Sequence, residues 1–192
     1  MMAEDWTGSD RTLLQRELAA RGIVMIQGHL DSRLATFAAA SLMERDAIAD
    51  EVVRVRLSTT SGEFGPALTV MDTIAALGVP TEVMAVGAVE GPGLGILAVA
   101  GRRLATRHCR LAFGSPLLRL DGSAGLVARQ LDQELQDQGR WVELVAHGTH
   151  QPAERVEVDL STARILSPQE ALRYRLLDDV VGPAGSSAES GK

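Results

Sequence analysis

The side chains that could carry proton or acyl transfer in this sequence are hydroxyls, one thiol, imidazoles and one well-placed carboxylate. The candidates considered are Ser61, Glu90, His108, Cys109, Ser115, His147 and His150. A serine becomes a nucleophile only when a base takes its proton, and that base needs a carboxylate to hold its tautomer. No base is spaced to serve Ser115, so the pattern favours a strand or loop hydroxyl there.

Glu90 is the acid best placed for chemistry, because it stands directly before the glycine-rich segment 91–100. It could act as a general base. The alternative is a solvent-facing residue at the start of a helix, where the helix dipole favours a negative charge. The glycines between Gly87 and Gly95 do not have the spacing of a dinucleotide-binding fingerprint, and close packing explains them equally well.

The histidines and the cysteine admit ordinary interpretations. His108 could replace a missing base, but its strand parity favours a surface position. His147 and His150 flank a helix end, where a cation is common, and a metal site would need a third ligand that the sequence does not offer. The single Cys109 cannot form an internal disulfide and is expected to be a small buried apolar residue. No metal and no cofactor are therefore expected.

The composition bounds the class of protein. The 192 residues are 45% hydrophobic and 3% aromatic, so small aliphatic residues must build the core. The net charge of −6 argues against a nucleic-acid surface. No apolar run approaches the roughly 20 residues of a membrane span, and the acidic first ten residues do not resemble a signal peptide. The lone cysteine and these absences predict a cytoplasmic protein.

Strand and helix patterns alternate along the chain. Periodicity predicts strands at 23–26, 52–57, 82–86 and 109–113, and helices at 10–21, 32–46, 66–77 and 91–100. The segment 58–65 is predicted to be a loop. This alternation indicates an α/β protein with largely parallel strands and right-handed crossovers.

The end of the chain breaks this alternation. An amphipathic helix is predicted at 122–147, too long for an ordinary crossover, and a protruding arm is expected. Ser167 and Glu170 have the spacing of a capping box that starts a short helix ending at Tyr174. We expect one domain over residues 10–181, with the arm at about 115–148, a flexible N-terminus at 1–9 and a disordered tail at 182–192.

Six segments together resemble the Clp protease proteolytic subunit family (ClpP), within the ClpP/crotonase superfamily. The two most specific are residues 147–152, His-Gly-Thr-His-Gln-Pro, and residues 166–178, Leu-Ser-Pro-Gln-Glu-Ala-Leu-Arg-Tyr-Arg-Leu-Leu-Asp. The others are residues 23–30, residues 68–74, residues 101–105, and the pair Arg110 and Pro116. The resemblance implies a spiral of βαβ units with a protruding helical handle, and a serine peptidase site with a Ser-His-Asp triad.

The three triad positions do not hold the family's residues. Counting without gaps puts the nucleophile at Val89, and a shift of one or two residues offers only Glu90 or Gly91. The histidine position corresponds to Gly114 and the aspartate position to Ala163. These residues have no group for acyl or proton transfer, so the sequence predicts vestigial positions and a protein that is not an enzyme.

The loop that binds the oxyanion in the family corresponds here to residues 59–62, where Ser61 and Gly62 stand in place of two glycines. Together with Glu90 they form the candidate oxyanion-like loop. The resemblance also implies a ring, a heptamer or a double ring, and an apolar pocket for a hexameric ATPase. Arg54 and Arg56 occupy that pocket here, which makes ATPase docking doubtful because buried guanidinium groups disfavour apolar loops. Ser161 and Thr162 replace a charged ring-contact pair.

These observations predict a Clp-like pseudo-protease subunit. It would be a structural or regulatory partner in a ring, alone or with catalytic Clp subunits. Two alternatives stay open at this point. One is a hydrolase or crotonase-like enzyme with a non-standard site around Glu90. The other is a serine peptidase of the family whose nucleophile has been displaced, with Ser61 or Ser115 as the hydroxyl to test.

Overall fold

The computed structural model describes residues 17–18, 22–48, 52–116 and 121–182. Most of the predicted helix at 10–21, the predicted flexible N-terminus and nearly all of the predicted tail lie outside these residues. The seven described strands are β1 Ile23–Leu30, β2 Val53–Gly62, β3 Thr81–Glu90, β4 Arg102–Thr106, β5 Arg110–Ala112, β6 Ile165–Leu166 and β7 Asp179–Val181. The six described helices of more than one turn are α1 Ser32–Ile48, α2 Phe64–Ala76, α3 Gly93–Ala98, α4 Ala124–Thr149, α5 Ala153–Ser161 and α6 Pro168–Arg173.

The strands form one mixed sheet that is mostly parallel. Its main order is β1-β2-β3-β4-β7, and all of these pairs are parallel. β3 pairs with β4 through its first half and with β5 through its last three residues. Gly87, whose φ is +71°, lies between the two halves, and a left-handed residue there lets the strand change neighbours. The predicted α/β class with parallel pairing is confirmed.

Alternate residues of the central strands face the helices. Val53, Val55 and Leu57 of β2 are buried, whereas Arg54 is exposed and Arg56 is half-buried. This period of two is expected for a sheet with one face against helices and one face open. The buried face packs against α1 and α3, α2 packs against both of these helices, and α4 packs against α2 and α3.

Trp141 anchors α4 to the rest of the core. Its ring lies 5.4 Å from Phe64 and 6.4 Å from Phe113, centroid to centroid, and it is fully buried. The indole Nε1 donates a hydrogen bond to the carbonyl oxygen of Pro92 at 2.9 Å. Among the described aromatic residues, Phe64, Phe113 and Trp141 therefore pack together beneath the turn that precedes α3.

The first half of α4 projects from the molecule. No residue of α4 before Asp137 is buried, and Leu126, Leu131 and Leu135 are exposed. This agrees with the predicted protruding arm. Within the described residues no helix is long and apolar enough to cross a membrane.

Several predicted boundaries differ from the structure. The predicted loop at 58–65 is wrong, because β2 continues to Gly62 and α2 begins at Phe64. Thr59 pairs with Val89, and Ser61 and Gly62 pair with His29 and Leu30. Neighbouring strands thus give these residues a hydrogen-bonding ladder that their turn-like sequence does not suggest. Strand β4 and helix α5 were not predicted.

Candidate functional site

The candidate site lies where β2, β3 and β5 end. β3 ends at Glu90, Gly91 and Pro92 form a turn, and α3 begins at Gly93. A sharp strand–turn–helix connection is the geometry that presents a nucleophile in several hydrolase folds. The frame for a nucleophile is therefore present, and the question is which residue occupies its exposed point.

Val89 does not occupy that point. It is fully buried and pairs with Thr59 on one side and Leu111 on the other. Its isopropyl group belongs to the apolar core cluster. A side chain at residue 89 faces the interior of the protein and would not meet a substrate.

Gly91 is the residue that faces the end of β5. Its backbone nitrogen donates to the carbonyl oxygen of Ala112 at 2.9 Å, and its φ is +58°. A Cβ atom added there would lie 2.9 Å from the carbonyl oxygen of Gly114. The geometry thus favours the two-residue shift, with Gly91 in the place of the nucleophile and no side chain present.

The other two triad positions come to the same place. β5 and β6 are antiparallel, with Ala112 opposite Ile165, and the nitrogen of Phe113 donates to the carbonyl oxygen of Arg164 at 2.8 Å. This register continues toward Gly114 and Ala163. Ala163 is exposed and has a φ of +49°. The structure therefore places Gly91 against Gly114, and the antiparallel pairing of β5 and β6 runs toward Ala163. None of these three residues carries more than a methyl group.

Pro92 changes the oxyanion side of the site. In strand–turn–helix sites the residue after the nucleophile contributes its N–H to the oxyanion hole. If Gly91 marks the nucleophile, that residue is Pro92, which has no N–H. Its carbonyl is held by Trp141, so the turn is rigid but lacks this donor.

Glu90 is engaged in an ion pair. Its Oε1 accepts a hydrogen bond from Nη2 of Arg110 on the neighbouring strand β5. The carboxylate is about one quarter exposed, and it lies at the end of a strand and not in the first turn of a helix. The guanidinium of Arg110 thus occupies the carboxylate oxygen that a general base would need for a substrate proton. The geometry gives no support to the alternative enzyme built on Glu90.

Ser61 does not lie in an open loop. Its Oγ lies 2.8 Å from Nδ1 of His29, which stands opposite it on β1. The Nε2 of the same ring lies 3.9 Å from Oε1 of Glu63. Gly62 packs against Leu30, where an added Cβ would come within 2.6 Å of the leucine Cβ. A hydroxyl, an imidazole and a carboxylate therefore follow one another at the ends of two parallel strands.

Sequence inspection missed this grouping. Ser61 and His29 are 32 residues apart in the chain, and only the parallel register of β1 and β2 brings them together. The predicted first strand ended at Ile26, so His29 was not expected to lie on it. The signal available in the sequence was the polar residue at the carboxyl end of each strand, where ligands of parallel sheets commonly bind.

The remaining candidates have structural roles. Burial raises the pKa of the Cys109 thiol to about 11, which keeps it protonated and unreactive at neutral pH. His150 ends α4 with a φ of +56°, and its Nδ1 lies 2.9 Å from the carbonyl oxygen of His147. Among the residues that the structure describes, no three His, Cys, Asp or Glu side chains are placed to hold a metal ion.

The open face of the sheet carries a row of charges. Glu82 accepts a hydrogen bond from Arg102 at 3.0 Å, and its other oxygen lies 4.0 Å from Nε of Arg54. Nη1 of Arg56 is buried without a hydrogen-bond partner among the described residues. This face is therefore polar and, at Arg56, electrostatically unsatisfied.

Comparison with known proteins identifies the relatives of this chain. The sequence model of the Clp protease family matches residues 7–184. A relative from Nocardia farcinica (strain IFM 10152), named ATP-dependent Clp protease proteolytic subunit 1, is 25% identical over 189 residues, 96% of each chain. The protein of the same name from Mycobacterium leprae (strain TN) is 26% identical over 183 residues, 93% of this chain and 90% of the relative.

A further relative comes from Arabidopsis thaliana and is named ATP-dependent Clp protease proteolytic subunit-related protein 2, chloroplastic. It is 27% identical over 164 residues, which are 84% of this chain and 59% of the relative. The proteolytic subunits named among these relatives are peptidases. This finding overturns the expectation, drawn from the three triad positions, that the chain is not an enzyme.

Proposed function

Since the chain belongs to the Clp protease family, we propose that it takes part in proteolysis as one subunit of a Clp-type peptidase ring. The ring is the enzyme, and other subunits supply its reactive serine. One observation supports the proposal: Gly91 at the end of β3 lies against the carbonyl oxygen of Gly114, and neither residue carries a reactive side chain. The resemblance to the proteolytic subunits is confirmed by the family match. Proteolysis is then a property of the assembly to which this chain contributes.

The chemistry of acyl transfer supports this division of labour. The serine hydroxyl, its base and the orienting carboxylate act as one unit, and removal of any member costs orders of magnitude in rate. A glycine at residue 91 supplies no hydroxyl, and Pro92 supplies no N–H to a developing oxyanion. The frame around the turn is nevertheless intact, because Gly93 packs so closely on Thr59 that an added Cβ would lie 2.0 Å from Oγ1.

Self-association is supported by family membership, because members of this family generally form rings. The apolar residues on the projecting half of α4 fit a surface that a neighbouring subunit covers. We extend this to a heptameric or double ring, either homomeric or mixed with catalytic Clp subunits. The row of charges at Arg54, Glu82 and Arg102 makes docking of apolar ATPase loops to the open sheet face unfavourable.

Co-expression with a catalytic Clp subunit from the same organism tests the proposal. We expect the two chains to elute together as one ring that cleaves a short fluorogenic peptide. Cleavage should disappear when the serine of the catalytic subunit is changed to alanine, and it should persist when Ser61→Ala is introduced here. A chain that forms no complex with the catalytic subunit, or a mixed ring that stays active without that subunit's serine, would contradict it.

The grouping of Ser61, His29 and Glu63 favours a second candidate, a peptidase with a displaced nucleophile. The Ser61 Oγ would attack the peptide carbonyl as Nδ1 of His29 takes its proton, and Glu63 would stabilise the imidazolium from the Nε2 side. The imidazolium would then give the proton to the leaving amine, and water would cleave the resulting ester. About half of each of the His29 and Glu63 side chains is exposed, so the row is accessible to a substrate.

A fluorophosphonate probe separates the two candidates. The displaced site predicts labelling of the isolated chain that is lost in Ser61→Ala, slowed in His29→Gln and retained in Ser115→Ala. The Ser115 variant is the matched control, because Ser115 is also an exposed serine near a strand end. Absence of labelling in the unaltered chain excludes the second candidate and leaves the first unaffected.

A further inference from the structure

Three arginines surround a pocket of about 220 Å³ on the side of the molecule formed by α5 and α6. The lining residues are Arg155, Arg164, Glu170, Arg173 and Tyr174. The chain as a whole carries a net charge of −6, so this pocket is much more positive than the protein as a whole. None of these residues belongs to the site at the strand ends.

Two of the guanidinium groups are fixed in orientation. Those of Arg155 and Arg164 lie 5.2 Å and 5.7 Å from the centroid of the Tyr174 ring, so both contact the same aromatic surface. The carboxylate of Asp159, which is 5% exposed, lies close to both guanidinium groups. Its Oδ1 accepts from Nη1 of Arg164 at 3.0 Å, and its Oδ2 lies 3.9 Å from Nε of Arg155.

These contacts leave donors available. A guanidinium has five N–H groups, and the other N–H groups of Arg155 and Arg164 form no hydrogen bond to any residue that the structure describes. Arg173 is exposed and makes no hydrogen bond or close ion pair within the described ranges. The pocket thus offers several N–H groups that have no acceptor among the described residues.

Glu170, the acidic residue of the lining, is already engaged. Its Oε2 accepts hydrogen bonds from the backbone nitrogen of Ser167 at 2.8 Å and from the Ser167 hydroxyl at 2.7 Å. These bonds, the hydroxyl first, lower its pKa, so it is ionised at neutral pH. Counting Asp159 and Glu170 against the three arginines leaves one positive charge in excess.

We propose that this pocket binds a phosphate group carried by a small molecule or present as free phosphate. Planar guanidinium groups match the oxygens of a phosphate in paired hydrogen bonds, and several of them neutralise its double charge. The Tyr174 ring on one side reduces the access of water, which strengthens these bonds. The inference does not depend on the proposed role in a peptidase ring.

The pocket is connected to the strand-end site. The Phe113 ring lies 5.6 Å from Tyr174, and the Phe113 nitrogen bonds to the carbonyl oxygen of Arg164. Phe113 directly precedes Gly114. A ligand that fixes Arg164 and Tyr174 would therefore stabilise β5 and β6 where they approach residues 91, 114 and 163.

Calorimetric titration of the full chain with inorganic phosphate and with glycerol phosphate, at fixed ionic strength, measures the dissociation constant of each. Thermal unfolding at a ligand concentration of ten times that constant should then show a midpoint about 3–5 °C higher than without ligand. Arg173→Gln should weaken binding about tenfold or more, and Arg155→Gln combined with Arg173→Gln should abolish it. The matched control is Arg33→Gln, an exposed arginine on α1, which should bind as the unaltered chain does.

Each outcome has a fixed meaning. Binding of either phosphate compound that depends on Arg173 supports the proposal, and the tighter of the two identifies the source of the group. The proposal is overturned if the Arg173→Gln variant binds phosphate as tightly as the unaltered chain. It is also overturned if the Arg33→Gln control loses as much affinity as the Arg173→Gln variant. Succinate bound as tightly as phosphate overturns the assignment to phosphate. If the variants without ligand have the same thermal unfolding midpoint as the unaltered chain, their loss of binding is not caused by unfolding.

Discussion

Gly91 is constrained in two ways at the end of β3. Its left-handed backbone is costly for any residue with a Cβ, and its φ of +58° coincides with a close approach to the carbonyl of Gly114. A serine at residue 91 would meet both constraints at once. The family's reactive side chain therefore cannot be added to this backbone without a shift of the β5 end.

Gly91→Ser is expected to destabilise the protein by about 1–3 kcal/mol, since it combines a strained φ with a contact of 2.9 Å. Urea denaturation followed by circular dichroism measures the change. The control is Gly139→Ala, in the middle of α4, where an added Cβ meets nothing within 4 Å. That variant should be unchanged or stabilised by up to about 1 kcal/mol, because alanine is the better helix former. Equal stability of both variants would contradict the strain at Gly91.

Cys109 should react slowly with thiol reagents in the folded protein. The thiol is 3% exposed, and burial raises its pKa to about 11, so the reactive thiolate is scarce at pH 8. Ellman's reagent should modify it at least tenfold more slowly in buffer than in 6 M urea, roughly as expected for a reaction that requires opening. Modification at the rate of a small free thiol would show that Cys109 is accessible.

At the residue scale, the sequence pointed to the end of β3 but did not determine which residue lies in the turn there. The ungapped count led to Val89, whereas the register of β3 with β2 and β5 buries that side chain and brings Gly91 to the strand end. Val89 and Gly91 are two residues apart. Residues two apart lie on the same face of a strand, so the alternation of side chains along β3 could not distinguish them. Where β3 ends and the turn begins decides the position.

Arg103 joins four segments of the chain. It bonds to the carboxylate of Asp178, with Nη2 to Oδ1 at 2.5 Å and Nε to Oδ2 at 3.1 Å. Its Nη1 donates to the carbonyl oxygens of Gly148 at 2.7 Å and Arg175 at 2.8 Å. One side chain of β4 therefore fixes the end of α4, the turn after α6 and the approach to β7.

Asp178→Asn should destabilise the protein by about 1–2 kcal/mol at pH 7. A charge-assisted pair is lost, but the carboxylate is 38% exposed, which reduces its contribution. Hydrogen bonds from Arg103 lower the pKa of Asp178 below 3.8, so its contribution is present above pH 3.8 and is lost as the pH falls through the lower value. The difference between the variant and the unaltered chain in urea midpoint should therefore narrow only below pH 4.

The control for this pair is Asp132→Asn, an exposed carboxylate on the projecting half of α4. It should change stability by less than about 0.5 kcal/mol at every pH. If the Asp178→Asn variant matches this control at pH 7, the pair with Arg103 does not stabilise the fold.

At the element scale, periodicity predicted most elements of the α/β core but not their ends. β2 was predicted to stop at Leu57 because Ser58–Gly62 has the composition of a turn. Pairing with β1 and β3 overrides that local preference and extends the strand by five residues. The grouping of His29 with Ser61 depends on this extension, which is a long-range property and therefore absent from either segment alone.

On the scale of the whole molecule, three regions of the surface differ in chemistry. The strand ends carry Gly91 and Gly114, the open sheet face carries paired charges, and the projecting half of α4 carries exposed leucines. The sequence predicted that α4 is amphipathic and that it is longer than an ordinary crossover helix. In the proposed ring a neighbouring subunit covers this apolar stripe, and the position of that subunit could not be predicted from the sequence.

Leu131→Gln combined with Leu135→Gln should reduce the size of the assembled particle without unfolding the subunit. These side chains are 41% and 56% exposed, so their loss leaves the core unchanged. Burial of each leucine at a subunit contact contributes about 1–2 kcal/mol, so its loss raises the dissociation constant about 5- to 30-fold per residue. Sedimentation velocity over a range of protein concentrations measures the shift in particle size, and circular dichroism checks the fold.

Met43→Gln, which removes an equally exposed apolar side chain from α1, should leave the particle size unchanged. A double variant that assembles at the same concentration as the unaltered chain would show that these leucines lie outside the subunit contact.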